Sequence, residues 1–194
     1  GIQTVALVGM GGSGKTTLAG KYTHQQKAEV IWEINAETPE TLRTSFEKLA
    51  EKFSRTEEDK EALRNFQAIK NFEARQEKIL EFVKEHLRSQ PQWLLIYDNV
   101  ENFATVQKYF PMDSATWGEG KAILTTRDET IQNNSQIKHV IFIEGLTERQ
   151  KLELFNKIMK RENQYSLSSA QDHQTMKFLE NIPPFPLDVT VAAY

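Results

Sequence analysis

Residues 9–16 read Gly-Met-Gly-Gly-Ser-Gly-Lys-Thr. These residue types, at this spacing, suit a loop wrapped around polyphosphate. Such a loop must curl until its backbone N–H groups point inward, and Gly9, Gly11, Gly12 and Gly14 leave room for the curl. Ser13 completes it. Lys15 brings a cation to the β- and γ-phosphates, and Thr16 offers a hydroxyl to Mg²⁺, with Thr17 next in line. The apolar run IQTVALV precedes the loop and a helical stretch follows from Lys15. That context adds the amides and the positive end of a helix N-terminus to the anion site. Binding of a magnesium–nucleotide is the chemistry this arrangement serves.

Two further segments carry polar groups where an apolar strand runs out. WLLIYDNVEN, residues 93–102, places Asp98 after a buried-strand pattern. Asp98 would hold a water on Mg²⁺ and orient Thr16. The next position, where a second carboxylate would activate water, is Asn99, which cannot accept a proton. Glu101 is the nearest other carboxylate, either a substitute base or a solvated surface acid. ILTTRD, residues 123–128, ends in Thr125, Thr126 and Arg127. Either threonine could read the γ-phosphate. Arg127 could pair with phosphate through its planar fork, or cap the sheet edge by a salt bridge.

The elements that position these groups alternate. Strands are expected at 2–8, 30–34, 93–97, 121–125 and 139–143, from short apolar, β-branched runs. A helix is expected from Lys15 to about Gln25. Thr38 and Pro39 start another, with Leu42, Phe46, Leu49, Ala50 and Phe53 on one face. Residues 54–61 read as a polar break and 62–88 as helix, with Leu63, Phe66, Ile69 and Phe72 at core spacing. A short helix is expected around 103–109, then a loop, PMDSATWGEG. Strands alternating with helices predict an α/β fold, a P-loop NTPase three-layer sandwich with a five-stranded, mainly parallel sheet. Beyond Gly145 the pattern turns helical. Thr147 and Gln150 form a capping box before a helix at 148–160, a polar stretch follows at 162–169, and another helix covers about 168–180. The organisation expected is a nucleotide-binding domain at 1–145 and part of an all-α domain at 146–194.

Bulk properties narrow the partners. The chain has 194 residues and a net charge of −3, so nothing in its charge balance favours nucleic acid or anionic membrane. No apolar run approaches a membrane span, and IQTVALVG lacks the basic flank of a signal peptide. The chain contains no cysteine, which rules out disulfides and thiolate metal sites and fits a cytoplasmic setting. His24, His86, His139 and His173 have no metal-ligand spacing. Gly1 has almost no lead-in and VTVAAY stops inside a helical pattern, so a piece of a longer protein is expected.

Taken in order, these segments resemble the NB-ARC type of signal-transducing (STAND) P-loop ATPases. GMGGSGKTTLA is similar to their phosphate loop and VIWEINAETPETLRTSFEKLA to the strand and helix of members linked to tetratricopeptide-type repeats. WLLIYDNVEN resembles the acid strand of that branch, AILTTRD the sensor strand, IEGLTERQKLELF a helix start and FPLDVTVAAY the "GLPL" helix. The resemblance implies an adenine-nucleotide switch, ADP or ATP with Mg²⁺, with weak ATPase activity. It implies that Lys15, Thr16, Asp98 and Arg127 take the roles read above, with Lys15, Asp98 and Arg127 in catalysis, and that Pro186 lies beside adenine. Sensor and effector domains and nucleotide-dependent self-assembly are implied partners. A non-hydrolysing scaffold and, less well matched, a small-molecule kinase are the alternatives.

Overall fold

The computed structural model describes residues 1–163 and 169–194. Its strands are β1 (Gln3–Val8), β2 (Val30–Asn35), β3 (Trp93–Val100), β4 (Gly120–Thr126) and β5 (His139–Phe142). They form one sheet in the order β2-β3-β4-β1-β5, with every pairing parallel. Parallel neighbours require a crossover between them, and helices provide most of these.

Helix α1 (Lys15–Thr23) covers one face, packing Ala19 against Leu7, Leu94, Ile96 and Ile123. The other face carries the main core under α2 (Pro39–Phe53), α3 (Glu57–Gln67) and α4 (Phe72–Arg88). Helix α2 begins as its residues dictate. Thr38 caps it, Thr41 returns the bond to the Thr38 amide, and Pro39 occupies the first turn. Leu42, Phe46, Leu49, Ala50 and Phe53 are all buried. Burying each large side chain of that row contributes about 1.5–3 kcal/mol.

The stretch from 54 to 88 differs from expectation. Its polar break is short, because Thr56 and Asp59 form a capping box and α3 starts at Glu57. The helix expected at 62–88 is two helices, since the Asn71 side chain accepts from the Ala74 amide and starts α4 anew. Phe72 therefore leaves the core. It is 42% exposed, with Arg43 and Arg75 over its ring.

The short helix near 103 is α5 (Phe103–Val106) followed by a 3₁₀ turn at Gln107–Tyr109. The loop expected at 111–120 contains α6 (Ser114–Trp117), capped by Asp113. Trp117 is buried beside Phe46, and its carbonyl accepts the Trp93 indole N–H at 2.7 Å. A second 3₁₀ turn, Glu129–Asn133, leads toward β5.

Helices α7 (Glu148–Asn163), α8 (Ser169–Leu179) and α9 (Pro186–Ala193) complete the described chain. The polar stretch expected at 162–169 falls mostly on 164–168, outside the described residues. Lys151 ties this helical part together. It is 2% exposed, and its ammonium donates to the Leu179 and Ile182 carbonyls at 2.7 and 3.2 Å and pairs with Glu148. No helix among the described residues is long and apolar enough to cross a membrane.

Candidate nucleotide site

The phosphate loop joins β1 to α1 at the carboxyl edge of the sheet. Gly12 and Gly14 have φ of 77° and 92°, a left-handed conformation that glycine adopts without a Cβ penalty. Gly9 has no room for a side chain, because a Cβ would lie 2.8 Å from the Ile143 carbonyl oxygen. Ser13 is buried within the loop, whereas Thr17 is exposed on α1. Lys15 Nζ donates to the Gly9 and Met10 carbonyls at 2.7 and 2.8 Å. Burial lowers the Lys15 pKa, and the nearby Arg127 guanidinium lowers it further, while Asp98 acts in the opposite sense.

A cleft of about 270 Å³ opens beside this loop. Gly11, Gly12, Lys15 and Thr16 line one wall, and Asp98, Thr125 and Arg127 another. The Thr16 hydroxyl donates to Asp98 Oδ1 at 2.8 Å. Thr125 donates to the same oxygen at 2.7 Å, and its Oγ1 accepts the Asn99 amide at 2.8 Å. Strand β3 is irregular here. Its register against β4 shifts between Tyr97 and Val100, and Asn99 adopts φ of 60°. Asp98 thus lies within β3, held by hydroxyls from α1 and β4.

Thr16 and Asp98 suit Mg²⁺. Their donors are hard oxygens, and no group of three or more acidic, histidine or cysteine side chains among the described residues is placed to hold a metal ion by itself. Such a partial set matches an ion that completes its shell with phosphate oxygens and water. Bound there, the ion would neutralise charge on the β- and γ-phosphates.

The remaining expected residues fall in several places. Arg127 reaches the phosphate loop, its guanidinium 3.1 Å from where a Gly11 Cβ would lie. It forms no salt bridge among the described residues, so the sheet-edge cap has no partner there. Thr125, not Thr126, faces the cleft. Thr126 is buried on the other side, donating to the Val100 carbonyl at 2.6 Å and accepting from the Asp128 amide. Adjacent strand residues point to opposite faces, so only one of the pair can reach Asp98. Glu101 lines a neighbouring cleft, which shares Asn99 and Arg127 with this one. Pro186, at the first turn of α9, lies against Gly14, with its ring 3.6 Å from a notional Cβ there.

Sequence reasoning missed Glu33, Asn35 and Glu37, which line the cleft from the carboxyl end of β2. No local signal marks them, because it is the pairing of β2 with β3 that sets Asn35 level with Asp98.

Against known proteins, residues 1–165 match the NB-ARC domain family. The chain belongs to the NB-ARC family. NB-ARC domains bind adenine nucleotides. This NB-ARC domain is also similar to a crystal structure from Pyrococcus horikoshii, of a signal transduction ATPase with numerous domains (STAND) that has a tetratricopeptide repeat sensor. The TM-score is 0.51 at 17% identity, over 98% of this chain and 26% of that chain. That likeness is one of fold, and this chain spans about a quarter of that protein's length. The NB-ARC chain has no match among curated proteins.

Proposed function

We infer that this chain is the adenine-nucleotide switch of a larger signalling or immune-type receptor. In this reading ATP and ADP alternate in the cleft with Mg²⁺, and hydrolysis is slow. Lys15 holds the β- and γ-phosphates, Thr16 and Asp98 hold the ion, and Arg127 senses the γ-phosphate. Pro186 lies beside the adenine. The α/β part ends near Gly145 and the helical part moves against it. Sensor and effector domains lie outside this chain, the setting is cytoplasmic, and assembly depends on the bound nucleotide.

One observation carries the reading. The first turn of α9 rests on the phosphate loop itself, with Leu187 against Gly12, Pro186 against Gly14, and the Leu187 amide 3.4 Å from the Gly12 carbonyl. A ligand that reshapes the loop changes its contacts with the helical part, and so binds the two arrangements with different affinity. Amide exchange across α7, α8 and α9 in the empty, ADP and ATP-analogue states tests this. The expected result is different protection of α9 with ADP and with the ATP analogue. Identical protection in all three states would sink the switch.

Asn99 favours a second reading, a scaffold that binds ATP without hydrolysing it. Single-turnover phosphate release from Mg-ATP separates the two, because the scaffold binds ATP and releases none.

A further inference from the structure

The cleft contains three carboxylates, Asp98, Glu33 and Glu37. Asp98 Oδ1 already accepts from Thr16 and Thr125. The adjacent Asn99 has no carboxylate, and its backbone amide is bonded to Thr125. A proton acceptor for an attacking water must therefore come from elsewhere, and within the cleft β2 and the turn after it supply two, Glu33 and Glu37.

Their levels in the sheet differ. Glu33 pairs with Ile96, and Asn35 with Asp98. One strand step of two residues is about 6.6 Å. Glu33 thus sits that far below Asp98, toward the amino ends of the strands. Glu37 lies two residues beyond Asn35, past the end of β2 and on the side where the phosphate loop opens. One bond to the acid strand and one to the end of β2 hold the backbone here. The Ala36 amide donates to the Asp98 carbonyl at 2.8 Å, and the Glu37 amide donates to Asn35 Oδ1 at 3.1 Å. The Glu37 carboxylate has no hydrogen-bond or ion-pair partner among the described residues. The start of α2 does not need it either, because Thr38 and Thr41 form that capping box.

We propose that Glu37 is the proton acceptor for the water that attacks ATP in this cleft, the role that Asn99 cannot fill. The assignment rests on the reading of the chain as a slow ATPase. The water oxygen forms a bond to the γ-phosphorus as the bond from that phosphorus to the β–γ bridging oxygen breaks. The bridging oxygen leaves with the electron pair as part of ADP. The water proton passes to the Glu37 carboxylate and then to solvent, so no further reactant is needed.

The test combines calorimetric binding of ADP and ATP with single-turnover phosphate release from Mg-ATP across pH. It compares wild type, Glu37→Gln, Glu37→Asp, Glu33→Gln and Glu101→Gln. Glu37→Gln is expected to bind both nucleotides within about threefold of wild type, since only the transition state uses the base. Its phosphate release falls about 100-fold or more, and the acid limb of the wild-type rate profile disappears. Glu37→Asp, which keeps a carboxylate, recovers part of the rate and retains that limb. Wild-type release from Glu37→Gln overturns the assignment and leaves the switch standing. So does a comparable loss in Glu33→Gln or Glu101→Gln with Glu37→Gln intact. No release from a wild-type chain that binds ATP overturns this assignment together with the hydrolysis reading.

Discussion

Thr125 Oγ1 lies 2.7 Å from Asp98 Oδ1 and accepts the Asn99 amide at 2.8 Å. One buried hydroxyl on β4 therefore holds both residues of the irregular turn in β3. Thr125→Val keeps the shape and removes the donor and the acceptor. The Asn99 amide is left unpaired, which costs about 1–3 kcal/mol. Urea unfolding is expected to show a lower midpoint at an unchanged slope, and Mg²⁺ should strengthen nucleotide binding less than in wild type. Wild-type stability would show that the bond contributes nothing.

Lys15→Ala removes one of the two cations that line the cleft. A hydrogen bond to a charged group is worth about 1.5–3 kcal/mol. ADP and ATP affinity by calorimetry should fall by about tenfold or more. Unchanged affinity would overturn the placement of phosphate at this loop.

Lys15 also sets an alkaline limit on binding. Burial and Arg127 lower its pKa below 10.5 in the empty site, and bound phosphate favours the charged form. The bound state then holds more protons, so affinity is fully present below the empty-site pKa and is lost as pH rises from there through the higher bound-state pKa. Arg127→Gln removes the second cause and leaves the first. Its alkaline limb should move to higher pH while overall affinity drops. A shift to lower pH would contradict the coupling.

Lys151→Met leaves the Leu179 and Ile182 carbonyls without their buried ammonium donor. The loss is about 1–3 kcal/mol and should be confined to the helical part. Hydrogen exchange is expected to speed up in α7, α8 and α9 with β1 and β4 unchanged. Uniform loss of protection would mean the two parts unfold as one unit.

Phe46 and Phe72 separate burial from hydrophobicity. Phe46 is fully buried against Tyr109 and Trp117, and Phe46→Ala should cost about 3–5 kcal/mol. Phe72 lies at the surface under two arginines, and Phe72→Ala should cost about 1 kcal/mol or less. Equal losses in thermal unfolding would contradict the break before α4.

By itself, the sequence determined what is local along the chain. The glycine spacing of residues 9–14 with Lys15 and Thr16 specifies a phosphate loop, because curl, charge and helix start all lie within eight residues. Thr38-Pro39 and the row from Leu42 to Phe53 specify α2 for the same reason. The apolar runs around Val5, Leu95 and Leu124 specify buried strands, and their alternation with helices specifies the parallel sheet. Tertiary structure decided what depends on neighbours distant in sequence. Thr125 and Thr126 are equivalent in composition, and only the facing of β4 toward Asp98 distinguishes them. Phe72 fits the apolar spacing until the Asn71 cap turns its helix. Glu37 is one more acid before a helix until β2 pairs with β3 and brings it into the same cleft as Asp98, 61 residues away in the chain. Hydrogen bonds and pleat direction between strands are set by packing, and a chain read one residue at a time carries no record of them.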